Sequence, residues 1–197
     1  MNTVRKPPLA DKSVERRLYL EKRRVLMKDA GAKSDLDREI QSRLILSTAY
    51  RRANAVMVYA AREYEIDTEM IIRAALANHK IVALPRCEDD GVMRFYCIGG
   101  MSDLAPGRFG IREPKDGCQP FTPDEHTLCV CPCLCCDMQG YRLGFGKGYY
   151  DRFLSDFAGK SAVLSYADAL LPELVHEAHD VPVGIIYTEQ YVRLISH

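Results

Sequence analysis

The segment Gly140-Tyr-Arg-Leu-Gly-Phe-Gly-Lys-Gly-Tyr-Tyr-Asp151 holds the residue types best suited to chemistry. Glycines 144, 146 and 148 let a backbone approach a ligand closely, and a helix starting just after them would offer free N–H groups and a positive dipole end. Those are the parts of a phosphate cradle. Arg142 and Lys147 add charge of the sign a phosphate needs, and Asp151, one turn into the helix, could hold Mg²⁺ directly or through water. The common nucleotide fingerprints do not fit. Lys147 is followed by Gly148 where a Walker A loop has Ser or Thr, and Tyr149 stands where a dinucleotide fingerprint has Gly. From the residues alone, a Gly-rich turn between strand and helix competes evenly with the cradle.

Cys129, Cys131, Cys133, Cys135 and Cys136 crowd a second segment. Their spacing lacks the separated Cys-x₂₋₄-Cys pairs of a zinc site, and alternate residues of a straight strand lie roughly 6–7 Å apart, too far for tetrahedral thiolates. Small buried hydrophobes are the better reading. His176, His179 and Asp180 could in principle grip a metal, but histidines near the end of a helix and loop are usually polar surface.

These residues need a scaffold, and the chain's 197 residues suit one good core and a single domain over 1–197. Residues 12–28 read as a mostly exposed helix with a narrow stripe of Val14, Leu18, Val25 and Leu26. Ser34 caps a second, amphipathic helix running towards Tyr50, with Leu36, Ile40 and Leu44 on one face. Residues 54–59 and 80–85 are strand-length apolar runs, joined by a helix that Asp67 or Thr68 caps. Residues 92–97, 128–134, 162–166 and 183–187 follow as strands, 99–123 as an ordered Gly/Pro/Asp-rich excursion, and Tyr149 to Phe157 as one helical face. The pattern predicts an α/β fold, a three-layer domain whose mainly parallel sheet is flanked by helices.

Lys plus Arg and Asp plus Glu both total 27, so no global field draws in nucleic acid or a membrane. Residues 1–52 carry 14 basic and 7 acidic side chains, which reads as a solvated helix face. No run of about 18 apolar residues exists, and the first residues lack a signal peptide's apolar stretch. A cytoplasmic setting follows, in which eight cysteines stay reduced and form no structural disulfide.

The segment from Gly140 to Leu154 resembles the signature of the 5-formyltetrahydrofolate cyclo-ligase family, also called methenyltetrahydrofolate synthetases. Supporting stretches run in the family's order: Lys12 with Arg16, Tyr59 through Glu65-Ile-Asp-Thr68, Leu84-Pro-Arg86, Gly107-Arg-Phe-Gly-Ile-Arg-Glu-Pro114, His179-Asp180 and Thr188-Glu189. The resemblance implies a ligase that uses ATP and Mg²⁺ to convert 5-formyltetrahydrofolate to 5,10-methenyltetrahydrofolate. It implies that Lys12, Arg16, Arg142, Gly144, Gly146, Lys147, Gly148 and Tyr150 contact ATP, with Lys147 and Arg142 catalytic and Asp151 the metal ligand. Glu65 would accept hydrogen bonds from the pterin, and Tyr59, Ala60, Met93, Phe109, Phe145 and Tyr149 would line the folate site.

The chain departs from the family at several points. Cys133 and Cys136 replace the usual Gly and Phe, Ala169 stands where many members have Gln at the folate, and Gly184 where many have an Asp near the metal. A non-catalytic folate-binding homologue is therefore the alternative. An RNA-associated protein using the basic N-terminal helices is a third reading, but no RNA-recognition signature supports it. The expected partners are the two small-molecule substrates, with no nucleic acid, membrane or obligate protein partner.

Overall fold

The computed structural model describes residues 11–88 and 92–196, apart from the side chain of Phe109. Helices α1 (Lys12–Met27), α2 (Ala30–Leu46) and α3 (Thr48–Arg52) come first. They are followed by β1 (Ala55–Val58), α4 (Glu69–Ala77), β2 (Ile81–Cys87) and β3 (Met93–Cys97). A two-stranded ribbon, β4 (Leu104–Pro106) with β5 (Arg112–Pro114), fills the Gly/Pro-rich stretch before β6 (Thr127–Cys131). The chain continues through β7 (Cys135–Asp137), β8 (Arg142–Leu143), α5 (Tyr149–Leu154), β9 (Lys160–Leu164), β10 (Leu170–Leu171), β11 (Ile185–Tyr187) and β12 (Val192–Leu194).

Seven strands form the main sheet in the order β12-β11-β9-β6-β1-β2-β3. The five inner strands are parallel, and an antiparallel strand closes each edge. Such a sheet needs cover on both faces, and its two central strands, β1 and β6, bury every position. Side-chain alternation divides the core in two. Val56, Val58, Leu128, Val130, Ala162 and Leu164 pack with Tyr19, Ile40, Leu44, Ile71 and Ile72 from α1, α2 and α4. Met57, Cys129, Cys131, Val163 and Ile186 face the other way, against Leu154, Tyr149, Tyr150 and Phe153 of α5. The expected three-layer α/β architecture is what forms.

Some boundaries differ from the sequence reading. The second helix starts at Ala30, because Asp29 caps it by accepting the Ala32 N–H at 2.9 Å; Ser34 lies inside the helix. It also stops at Leu46, and Ser47 caps the separate α3 by accepting the N–H of Tyr50. Thr68 occupies the cap position of α4, but the side chain that accepts the first amides is Asp67, from Thr68 and Glu69. Helix α5 is only six residues long, and Phe157 joins its aromatic face from beyond the helix by packing on Phe153.

The thiols also need a correction. The Sγ atoms of Cys129 and Cys131 are 3.9 Å apart, because the two side chains lean together on one buried face of β6. All eight cysteines are free. Among the described residues no cluster of three His, Cys, Asp or Glu could hold a metal ion, and no helix is long and apolar enough to cross a membrane.

Candidate active site

The carboxyl ends of β1, β2 and β6 open into a cavity of about 910 Å³, the place where open α/β sheets put their ligands. Tyr59 and Ala60 follow β1 directly, Pro85 and Cys87 end β2, and Pro132 follows β6. The small sheet β10-β7-β8 delivers the glycine segment to the same opening. There Gly140 is required by a close approach. Its φ is +93°, and a Cβ would stand 2.5 Å from the Val183 carbonyl oxygen. Gly146 and Gly148 also have positive φ, +87° and +66°, so the segment turns into α5 by a path that side chains disfavour. Gly144 needs no such freedom, and a Cβ there would meet nothing within 4 Å.

Four cations surround this segment. The Arg16 Nε donates to the Gly144 carbonyl oxygen at 3.0 Å, and its guanidinium lies against Gly146. Arg142 donates to the Val181 carbonyl oxygen at 2.6 Å and pairs with Asp151 at 3.0 Å. Lys147 is exposed at the rim. Lys12 is held by two carboxylates, Asp180 at 2.6 Å and Glu177 at 3.0 Å; desolvation is the largest single influence on its pKa and lowers it, but the two acids together outweigh it and the pKa is raised. Lys12 and Arg16, one turn apart, do share a helix face towards the cavity. The Asp151 Oδ1 also accepts the Val181 N–H at 3.3 Å.

The opposite half of the cavity is more apolar. Tyr59 is 5% exposed, Ala60 9% and Met93 8%, with Ile111 and Tyr149 nearby. Glu65, 7% exposed, accepts the Arg62 N–H at 2.7 Å, and its pKa is raised by burial despite that bond and the Arg62 charge. Tyr150 turns its ring edge-on to Phe95, and its buried hydroxyl has no hydrogen-bond partner. The exposed ring of Phe145 bridges the halves, 5.7 Å from the Tyr64 ring and 5.4 Å from the Arg62 guanidinium.

Every candidate site residue lines this one cavity except Phe109, whose side chain lies outside the described residues. Ala169 and Gly184, the two departures, lie away from it; Ala169 is buried near Tyr166 and Arg23 in a separate cleft. His176 stacks on Tyr141 at 3.8 Å, and His179 lines the cavity beside the acids that hold Lys12. Sequence reading gave no role to Arg62, Glu113 or Glu177, and weighed Asp180 only for a metal grip it set aside; all four line the cavity. The signal for Glu113 and Asp180 was their place in stretches already notable as motifs.

The comparisons with known proteins agree with this geometry. The 5-formyltetrahydrofolate cyclo-ligase of Haemophilus influenzae is 30% identical over 139 residues, 68% of this chain and 74% of that one. The enzyme of the same name from Escherichia coli K12 is 27% identical over 164 residues, covering 80% and 90%. The solution structure of Aquifex aeolicus 5,10-methenyltetrahydrofolate synthetase superposes with a TM-score of 0.82 at 30% identity, covering 94% of this chain and 93% of that one. A synthetase from Mycoplasma pneumoniae, 22% identical, shares the fold with a TM-score of 0.73 over 91% and 99%. The sequence model described as the 5-formyltetrahydrofolate cyclo-ligase family matches residues 8–189, and the chain belongs to that family.

Proposed function

We propose that the protein converts 5-formyltetrahydrofolate and ATP to 5,10-methenyltetrahydrofolate, ADP and phosphate. One observation carries this reading: a single cavity joins a glycine segment ringed by cations to a buried carboxylate set among apolar and aromatic walls. In the family's reaction the γ-phosphoryl group of ATP passes to the formyl oxygen and ADP leaves. N10 then attacks the activated carbon and loses its proton, and the C–O bond breaks to release phosphate. The protein supplies no nucleophile, so positioning and charge neutralisation do the work.

In this reading Lys147, Arg142 and Arg16 neutralise the phosphates, and the amides of 144–148 approach them without side-chain interference. Lys12 exchanges Glu177 or Asp180 for phosphate oxygens. Glu65 accepts the pterin's N–H groups, and Tyr59, Ala60, Met93 and Tyr149 hold the ring. Asp151 suits Mg²⁺ that would arrive with the nucleotide: its carboxylate lines the cavity, held at Oδ1 by Arg142 and the Val181 N–H, and magnesium often takes one or two carboxylates plus substrate phosphates. The ion would supply further neutralisation of phosphate charge. We place the protein in the cytoplasm, a setting that keeps a chain with eight cysteines reduced.

The test is to follow the ultraviolet absorption of the methenyl product with purified protein, ATP, Mg²⁺ and 5-formyltetrahydrofolate. Product should appear with stoichiometric ADP. Tight folate binding with neither product nor ADP would favour the non-catalytic alternative.

A further inference from the structure

We infer that Glu113 is a positioning residue, clamping the turn Arg108–Gly110 to the end of β2 and so placing Ile111, which closes the turn and lines the cavity. The inference rests on the folate reading proposed above. Glu113 lies in β5, is 7% exposed and lines the cavity. Its Oε1 accepts the N–H of Cys87, at the end of β2, at 3.4 Å, and its Oε2 accepts the N–H of Arg108 at 3.3 Å. An ionised carboxylate can accept with both oxygens at once, and here the two donors sit on different elements. The turn closes on itself through Gly107 N–H to Ile111 O at 2.8 Å and Ile111 N–H to Arg108 O at 3.0 Å. Glu113 is thus a side-chain tie from this turn to the main sheet.

Gly107 gives a second, independent sign of the clamp. Its φ of −117° and ψ of −155° are extended backbone open to any residue, so the conformation does not call for glycine. The carboxylate does. A Cβ at 107 would lie 2.4 Å from the Glu113 Oε2 and 2.7 Å from its Cδ and Cγ. Alanine at 107 must therefore push Glu113 out of its two hydrogen bonds, through sterics alone. Ile111, which closes the turn, lines the same cavity as Tyr59, Ala60 and Met93, and the turn carries Phe109, the residue the resemblance places at the folate, so loosening it acts on the folate half first.

The experiment compares full-length wild type, Gly107→Ala, Glu113→Gln, Glu113→Ala and the double variant Gly107→Ala/Glu113→Ala. Equilibrium affinities for 5-formyltetrahydrofolate and for ATP are measured separately, and melting temperatures are taken without ligand. Gly107→Ala and Glu113→Ala should each weaken folate about tenfold while ATP affinity stays within about twofold, with Glu113→Gln intermediate because its amide oxygen accepts only one of the two N–H groups. The melting loss of Gly107→Ala should vanish in the Glu113→Ala background. Additive melting losses, or equal losses of ATP and folate affinity, would overturn the clamp; if Glu113→Ala does not fold, Gly107→Ala and Glu113→Gln still decide it. A wild type that binds no folate would instead sink the functional reading, whereas the melting cycle judges the clamp without any substrate.

Discussion

Glu65 pays for its place in the apolar half of the cavity: burial raises its pKa above the ordinary 4.5. A carboxyl raised in the folded state contributes stability below its unfolded pKa, and that contribution is lost as pH rises through the folded value. Where it is ionised the group therefore weakens the fold, and in the proposed reading the pterin's N–H groups offset that cost. Folate affinity should fall on acidification with a midpoint above 4.5, and a pH titration of binding should be flat in Glu65→Gln. That variant should melt no lower than wild type, yet bind folate more weakly by roughly 1.5–3 kcal/mol, with ATP affinity nearly intact. Lys147→Ala should do the reverse, costing turnover more than folate affinity, because phosphate charge shifts most during transfer. Separate measurement of each affinity beside the turnover rate checks both assignments. A Glu65→Gln change that weakened ATP and spared folate would refute them.

At the scale of elements, the glycine segment makes three positions of one residue type behave differently. Gly144→Ala should bind ATP within a few-fold of wild type, since its Cβ meets nothing. Gly146→Ala should lose affinity by about tenfold or more, because positive φ costs an L-residue on the order of 1–2 kcal/mol and its Cβ presses on Arg16 at 3.3 Å. Calorimetry with ATP separates the two, and equal effects would mean that the turn's shape does not matter. This segment was legible in the sequence because glycine identity itself encodes the turn. The inner strands were legible too, as short apolar runs with both faces buried. The sheet β10-β7-β8 was not, because strands of two or three residues carry no periodicity. Asp29 and Ser34 are equally good caps by type, so residue identity alone did not say that Asp29 is the one accepting a first-turn amide.

The whole molecule places its eight thiols in two populations. Cys129, Cys131, Cys133, Cys135 and Cys136 are buried, while Cys87, Cys97 and Cys118 are partly exposed. A thiol reagent should therefore react with at most three groups in the native protein and with eight after unfolding. Rapid native reaction of more than three would mean that the sheet face under α5 is open. Long-range pairings were the part of the site that sequence could not supply. Lys12 meets its partners 165 and 168 residues later, a separation no local pattern encodes.

That pairing of Lys12 with Glu177 and Asp180 has a consequence for the protein's birth. A ribosome adding about 5–20 residues per second releases Lys12 roughly 10–30 s before its two acidic partners. Through that interval α1 carries Lys12 without these two counterions, and β11 and β12 are not yet available to complete the sheet. The end of the cavity that Lys12 lines is therefore completed last, and a nascent chain stalled before residue 177 lacks both acids that hold Lys12 in place.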